Sequence, residues 1–276
     1  MTPSAVCIAS GGDAIRFRSY INQAIYARER GFSYHLGIGL SRGARSPYEP
    51  KFVVIEEMLP HFEWVVWMDD DVYVTDMAHP HLETLLREAE SSDAFLVLAE
   101  GPVETHGGWT RINTGVMALR NDPRTWELLA DARAVNLDEL RGRWDEEEFG
   151  VFTNGDQDTI CWSLHAKQHL LAGTRIVSHR LLNSRPHYYE QSLEDAFAVH
   201  FCGAGDKMLR VAQFAGRFGL GQELVDEDLL DRWSVRQRHR MAGTEMAART
   251  AQERARLFKR RVQRKIDFVR ATRRWK

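Results

Sequence analysis

The sequence predicts a layered α/β domain, on three observations. Short apolar runs alternate with segments of helical periodicity. One of these runs, Glu63-Trp-Val-Val-Trp-Met68, empties directly into Asp69-Asp70-Asp71. The length of 276 residues holds one large domain or one domain plus an appendage, and a composition 43% hydrophobic and 28% charged supplies its core. That composition excludes global disorder, a collagen-like fibre and a small disulfide scaffold.

Ala5 to Ser10 is an apolar run closed by Gly11-Gly12, the pattern of a buried first strand and a turn. Between Phe17 and Arg30, Tyr20, Ile21, Ala24, Ile25 and Ala27 recur at helical spacing, and Gly31 follows as a stop. Phe32 to Leu40 alternates as a second strand, Ser41 to Pro50 is a Gly/Pro/Arg-rich loop, and Lys51 to Leu59 reads as a helix. After the acidic triplet, His81 to Ser91 is helical, Ala94 to Ala99 a strand, and Gly101 to Trp109 a polar loop whose Trp109 is either a stacking platform for an acceptor sugar or an ordinary core or surface aromatic. Asn113 to Leu119 is a strand, and Pro123 to Ala134 a helix with proline in its first turn. Asp156 to His169 is a helix with an acidic start, and Arg175 to Leu181 a strand. In such layered domains ligands bind beyond the carboxyl ends of the strands.

The formal net charge of −2 is unevenly spread. Residues 236–276 hold 15 Lys and Arg against Glu245, Glu253 and Asp267, a local excess of +12, which leaves −14 over residues 1–235. An acidic body with a basic tail argues against a nucleic-acid partner. Within the tail Ala251, Ala255, Phe258, Val262, Ile266 and Val269 recur at close to 3.6 residues, predicting a basic amphipathic helix over about residues 245–274. The chain therefore divides into a domain over 1–233 and a basic helical extension over 234–276. The extension suits an anionic membrane surface, or packing on the acidic body or on a second copy in a homodimer.

Cys7, Cys161 and Cys202 are odd in number and far apart, which predicts free thiols in a reducing compartment. The N-terminus lacks a basic signal region, and no stretch reaches the roughly 18 apolar residues of a membrane span. A cytoplasmic protein is expected, peripheral on the inner face of the cell membrane if the tail binds there.

Two acidic side chains one residue apart at a strand end can share a hard divalent cation and leave positions for phosphate oxygens. Asp69 and Asp71 meet that spacing. A lone D-x-D recurs by accident and, read alone, is a solvated acidic turn. Here the buried run holds its own end rigid, and three adjacent carboxylates repel one another unless a cation or a basic partner offsets them. An aspartyl-phosphatase pattern fails because Tyr73 stands at the fifth position, no P-loop occurs, and Gly37-Ile-Gly39 lacks the third glycine of a dinucleotide fingerprint. A metal on a pyrophosphate remains, acting as a Lewis acid for a departing diphosphate.

Asn22 to Tyr34, Lys51 with Trp64 to Asp71, Asn113-Thr-Gly115 with Arg120-Asn121, Asp156-Gln157 and His200-Phe-Cys-Gly203 form five blocks in order, and over about residues 5–215 they resemble glycosyltransferase family 34, the plant xyloglucan xylosyltransferases and fungal α-galactosyl- and α-mannosyltransferases. Asn22-Gln-Ala-Ile-Tyr-Ala-Arg-Glu-Arg-Gly31-Phe-Ser-Tyr34 is similar to the family's N-x-x-x-Y-A-x-x-H-G-Y, with Arg30 where His is usual. Glycogenin-like and lipopolysaccharide-type transferases share D-x-D, N-x-G and H-x-x-G, and Asp156-Gln-Asp158 fits them equally; their terminal K-P-W is missing.

The resemblance implies a GT-A fold, Rossmann-like and nucleotide-sugar-binding, and a retaining transfer of a hexose or pentose from a UDP-sugar to a glycan or glycolipid. It implies Mn²⁺ or Mg²⁺ on Asp69, Asp71 and His200. Asp70, Asn113, Gly115, Lys51, Gly203, Lys207 and Ser10 would bind the donor, with Asp156 and Gln157 beside the reacting carbon. Taken without it, His200 is a packed histidine, Lys51 and Lys207 are surface lysines, and Asp156-Gln157 is a helix N-cap. A nucleotidyl- or phosphotransferase, or a noncatalytic sugar- or membrane-binding protein with a vestigial metal site, are the competing readings.

Overall fold

The apolar runs pair into one sheet. A computed structural model describes residues 5–39, 49–189, 192–193, 196–203, 205–236 and 238–273. Along it follow β1 (Val6–Gly12), β2 (Ser33–Ile38), β3 (Trp64–Met68), β4 (Val72–Val74), β5 (Leu96–Ala99), β6 (Asn113–Arg120), β7 (Thr174–Val177) and β8 (Ala198–His200). Six of these form a mixed sheet in the order β2-β1-β3-β6-β5-β7, and β4 and β8 pair antiparallel in a second, small sheet. β2, β1 and β3 run parallel, and β6 is antiparallel to both its neighbours.

Alternation along each strand divides the apolar side chains between two cores. Trp64, Val66 and Met68 of β3 join Ile8, Val97 and Val116 on one face, under α1 (Ser19–Glu29) and α3 (His81–Ser91). Val65 and Trp67 join Leu96, Leu98 and Met117 on the other, under α2 (Glu49–Met58), α4 (Pro123–Ala134) and α5 (Asp156–Ala166). Each of these fully buried side chains stabilises the fold by about 1.5–3 kcal/mol. The small sheet packs Tyr73, Val199 and Phe201 against Val211 and Phe214 of α6 (Lys207–Arg217).

β1 lies between β2 and β3, so the chain reverses direction across the sheet at β1, and the crevice beyond the ends of β1 and β3 is the switch point where such folds bind ligands. Gly11-Gly12 and Asp69–Asp71 both stand there.

Several elements differ from the sequence reading. The predicted loop over 41–50 lies outside the described residues as far as 48, and α2 opens at Glu49 and closes in a 3₁₀ turn over Leu59–His61. The helix expected over 156–169 breaks at Lys167, which is extended (φ −132°, ψ 101°) with its ammonium on Glu127 and Asp131 of α4, and a short turn over Gln168–Ala172 follows. The strand expected to Leu181 stops at Val177, and His179–Leu182 is helical. β4, only three residues long, was not expected. Pro123–Ala134 has the predicted bounds, its cap being Asp122, whose carboxylate accepts from the Arg124 N–H at 2.8 Å.

The three cysteines are free. The basic tail forms α7 (Gly243–Arg273), and its first half docks on the body: Met246 packs beside Leu209, Ala212 and Met241, and Arg249 pairs with Asp206 at 2.9 Å. Further on, Leu257, Phe258, Val262 and Ile266 are exposed by 39–68%. Val269, the last residue of the predicted stripe, has its side chain outside the described residues. Among the described residues no helix is long and apolar enough to cross a membrane.

Candidate active site

The acidic triplet is fastened by side chains that stand in for a missing sheet neighbour. Gln23 of α1 donates to the carbonyls of Asp69 (3.1 Å) and Val72 (2.9 Å), and Ser19 donates to that of Asp70. Asn22 donates to the Val74 carbonyl at 2.8 Å and accepts from its N–H at 2.7 Å. Asn22, Gln23 and Ser19 are all buried, so α1 turns a polar edge inward where β3 has run out. Asn22 is the residue that opens the first block of the resemblance. The sequence signal was a pair of adjacent amides inside a helix that also buries Ile25, Tyr26 and Ala27.

Pairing of β4 with β8 sets Val72 opposite His200, and the Phe201 N–H donates to the Asp71 carbonyl at 3.0 Å. Residues 129 positions apart in sequence, Asp71 and His200, thereby meet: Nε2 lies 3.0 Å from Asp71 Oδ1 and 3.8 Å from Asp69 Oδ2. Gly115 makes room for the ring, since a Cβ there would stand 2.4 Å from His200 Cε1 and Nδ1. Lys207, at the start of α6, places its ammonium 2.5 Å from Asp71 Oδ2. Burial opposes the charge on Asp71, but His200 and Lys207 overrule it and hold the carboxyl well below the usual carboxylate range. Asp70 turns to Arg16 at 3.1 Å, and burial together with Asp71 pushes its carboxyl upward.

A second knot flanks the first. Lys51 is buried, and its ammonium contacts Asp156 at 2.5 Å, Asp69 at 3.0 Å and the Thr114 carbonyl at 3.1 Å. Burial works against the ammonium, yet Asp156 and Asp69 raise its pKa and keep it charged. Asp156 also accepts from the Thr114 hydroxyl at 2.8 Å. The helix-capping role open to Asp156 belongs instead to Asp158, which accepts from the N–H groups of Thr153 and Gly155, both at 3.1 Å. Asp156 is thereby left for Lys51. Asn113 accepts from the Gly115 N–H at 3.0 Å and from the Asn183 amide.

These groups surround one cavity of about 690 Å³ at the switch point. Asp69, Asp70, Asp71, His200, Lys51, Lys207, Asn113, Gly115, Gly203, Asp156 and Gln157 all line it. Ser10 does not: it is buried and lines a small neighbouring cavity together with Gly11, Gly12, Arg16 and Asp70. Trp109, exposed by 37%, also stands outside the lining. Arg16, Thr114, Trp67 and Asn183 escaped the sequence reading. Trp67 donates from Nε1 to Asp69 Oδ1 at 2.7 Å, so a core tryptophan also orients a carboxylate.

Ligand atoms of Asp69, Asp71 and His200 lie within 4.8 Å of one another. Two carboxylates and one imidazole are a hard-to-borderline donor set that fits Mn²⁺ or Mg²⁺, and the lysines stand where phosphate charge would need neutralising.

No family model matches the chain. It is similar to galactomannan galactosyltransferase 1 of Cyamopsis tetragonoloba, 28% identical over 113 residues, which cover 40% of this chain and 25% of that protein. It is also similar to glycosyltransferase 6 of Arabidopsis thaliana, 28% identical over 129 residues, covering 46% and 29% respectively. The aligned part thus spans about a quarter of the length of these relatives. Among solved structures, a glycosyltransferase involved in the glycosylation of the major capsid of PBCV-1 superposes with a TM-score of 0.52 at 20% identity, covering 72% of this chain and 96% of that one. The glycosyltransferase GlyE of Streptococcus pneumoniae TIGR4 superposes with a TM-score of 0.50 at 15% identity, covering 84% and 64%. The fold is that of the GT-A glycosyltransferases, and the sequence relatives support a glycosyltransferase family.

Proposed function

We propose that the chain is a metal-dependent, retaining glycosyltransferase that moves a hexose or pentose from a UDP-sugar to a glycan or glycolipid. The observation that carries this reading is the convergence of Asp69, Asp71 and His200 at the switch-point cavity, with Lys207 and Lys51 on either side. A bound Mn²⁺ or Mg²⁺ supplies Lewis-acid stabilisation of the charge developing on a departing diphosphate. Lys207, whose ammonium rests on Asp71, is placed to exchange that carboxylate for a phosphate oxygen. Asn113 and Gly115 would face the sugar.

Asp156 is held by Lys51 and Thr114, and Gln157 is an amide, so neither is free to act as a strong covalent nucleophile. That favours transfer on one face. The glycosyl C–O bond to phosphate breaks, the bond to the acceptor oxygen forms on the same side, and the acceptor's proton passes to the leaving phosphate. Screening UDP- and GDP-sugars for release of nucleoside diphosphate tests the reading: we expect Mn²⁺-dependent release that EDTA abolishes. UDP binding without turnover of any donor would favour the noncatalytic reading.

The tail extends this proposal. The exposed stripe from Leu257 to Ile266, on a helix rich in Arg and Lys, suits an anionic membrane surface, where each basic side chain contributes about 1 kcal/mol. This fits an enzyme that works on the cytoplasmic face and uses a lipid-linked or envelope acceptor. Cosedimentation with anionic liposomes is expected at low salt, with loss at high salt and on deletion of residues 245–276. A dimer that dissociates on that deletion, without liposome binding, would assign the stripe to a second copy.

A further inference from the structure

We propose a second metal site, at Asp76, His79 and His81, selective for a borderline transition ion such as Zn²⁺, Co²⁺ or Ni²⁺. None of the three residues lines the catalytic cavity, and the proposal does not rest on the glycosyltransferase reading. Asp76 follows β4 by two residues and is buried, and His81 is the first residue of α3. His79 Nδ1 lies 2.8 Å and His81 Nε2 3.0 Å from the same oxygen, Asp76 Oδ2. The three ligand atoms are within 4.8 Å of one another.

The surroundings hold this arrangement in place. Asp76 Oδ1 is occupied by the N–H groups of Ala78 and His79, both at 3.0 Å, which fixes the carboxylate and leaves Oδ2 aimed at the rings. The His81 ring packs edge-on against Phe197. Arg30 donates to the Ala78 carbonyl at 3.1 Å and pairs with Glu83, so this cation on the turn has its own counter-ion. This is also where Arg30 replaces the histidine usual in the first block of the resemblance.

Two imidazole nitrogens with one carboxylate oxygen prefer Zn²⁺, Co²⁺ or Ni²⁺ to Mg²⁺ or Ca²⁺. Side-chain exposures of 69% for His79 and 37% for His81 leave an entry path and room for water on the open side. A carboxylate oxygen only accepts, so to hold an ion beside Oδ2 each ring must present a nitrogen lone pair there in place of an N–H. An ion here would tie the segment after β4 to the start of α3.

The test uses the untagged full chain with Co²⁺ or Zn²⁺ alone as the probe. We expect calorimetry to show a site that His79→Gln or His81→Gln weakens at least about tenfold, because even loss of an outer-shell partner costs 10–100-fold. The same site should survive His200→Ala, and in that His200→Ala background Zn²⁺ should raise the Tm, but not once His79→Gln and His81→Gln are added. The two histidines are preferred to Asp76, which also caps backbone and whose loss can unfold the turn. Unchanged Co²⁺ and Zn²⁺ affinity in the double variant would overturn the site, as would loss of all Zn²⁺ binding on His200→Ala alone.

Discussion

Asp71→Asn is expected to weaken Mn²⁺-dependent UDP binding by at least about 100-fold, or about 3 kcal/mol, and to abolish turnover. The carboxylate is the most buried member of the triplet and touches both His200 and Lys207, so its neutral isostere removes one proposed ligand and frees the lysine together. Calorimetric titration of UDP with and without Mn²⁺ reads the effect, and an unchanged metal increment in the variant would sink the assignment. Gln157→Ala provides the contrast: it should lower turnover while leaving UDP affinity within a few-fold, because Gln157 lines the cavity without joining either charged knot. Stability supplies a further check. The Asp71 carboxyl is held below its ordinary value, so its charge stabilises the fold above about pH 4, and that contribution fades as the pH falls. The wild type should therefore be more stable than Asp71→Asn at neutral pH, with the gap closing in acid.

What the sequence made legible was whatever local chemistry repeats. The Trp64–Met68 run shows as a buried strand because every residue is apolar, and its acidic end shows because charge there has no bland neighbour. Asp122-Pro123 marks a helix start to the residue. The partners that hold the candidate site together are of another kind. Asn183 reaches Asn113 across 70 positions, Thr114 bonds Asp156 across 42, and Ser19 of α1 bonds the backbone of the acidic triplet. A single polar side chain that satisfies one distant group leaves no periodic trace. β4 escaped for a related reason: three residues cannot display alternation, and its strand character comes from β8. Asp156 and Asp158 show the same limit. Both open a helix, and only the fold decides that Asp158 caps it while Asp156 faces Lys51.

Gly115→Ala is the second substitution expected to have a large effect, and it acts through a neighbour. The resemblance placed this glycine among the residues that bind the donor. In the fold an added methyl would stand 2.4 Å from two atoms of the His200 ring and 2.9 Å from the Asn183 amide nitrogen. Such contacts cannot be accommodated without displacing the imidazole, because Asn183 is fully buried and β6 is central in the sheet. The ring must therefore leave the two carboxylates. Gly115→Ala should lower Mn²⁺-dependent UDP affinity about as much as His200→Ala, with an added stability cost of about 1–3 kcal/mol from overpacking. A double-mutant cycle separates the two roles of the glycine. If its function is to admit the imidazole, adding Gly115→Ala to His200→Ala costs little further UDP affinity, since the ring that it would strike is gone. If the methyl instead blocks the sugar, the loss persists in the His200→Ala background and appears for UDP-sugar but not for UDP.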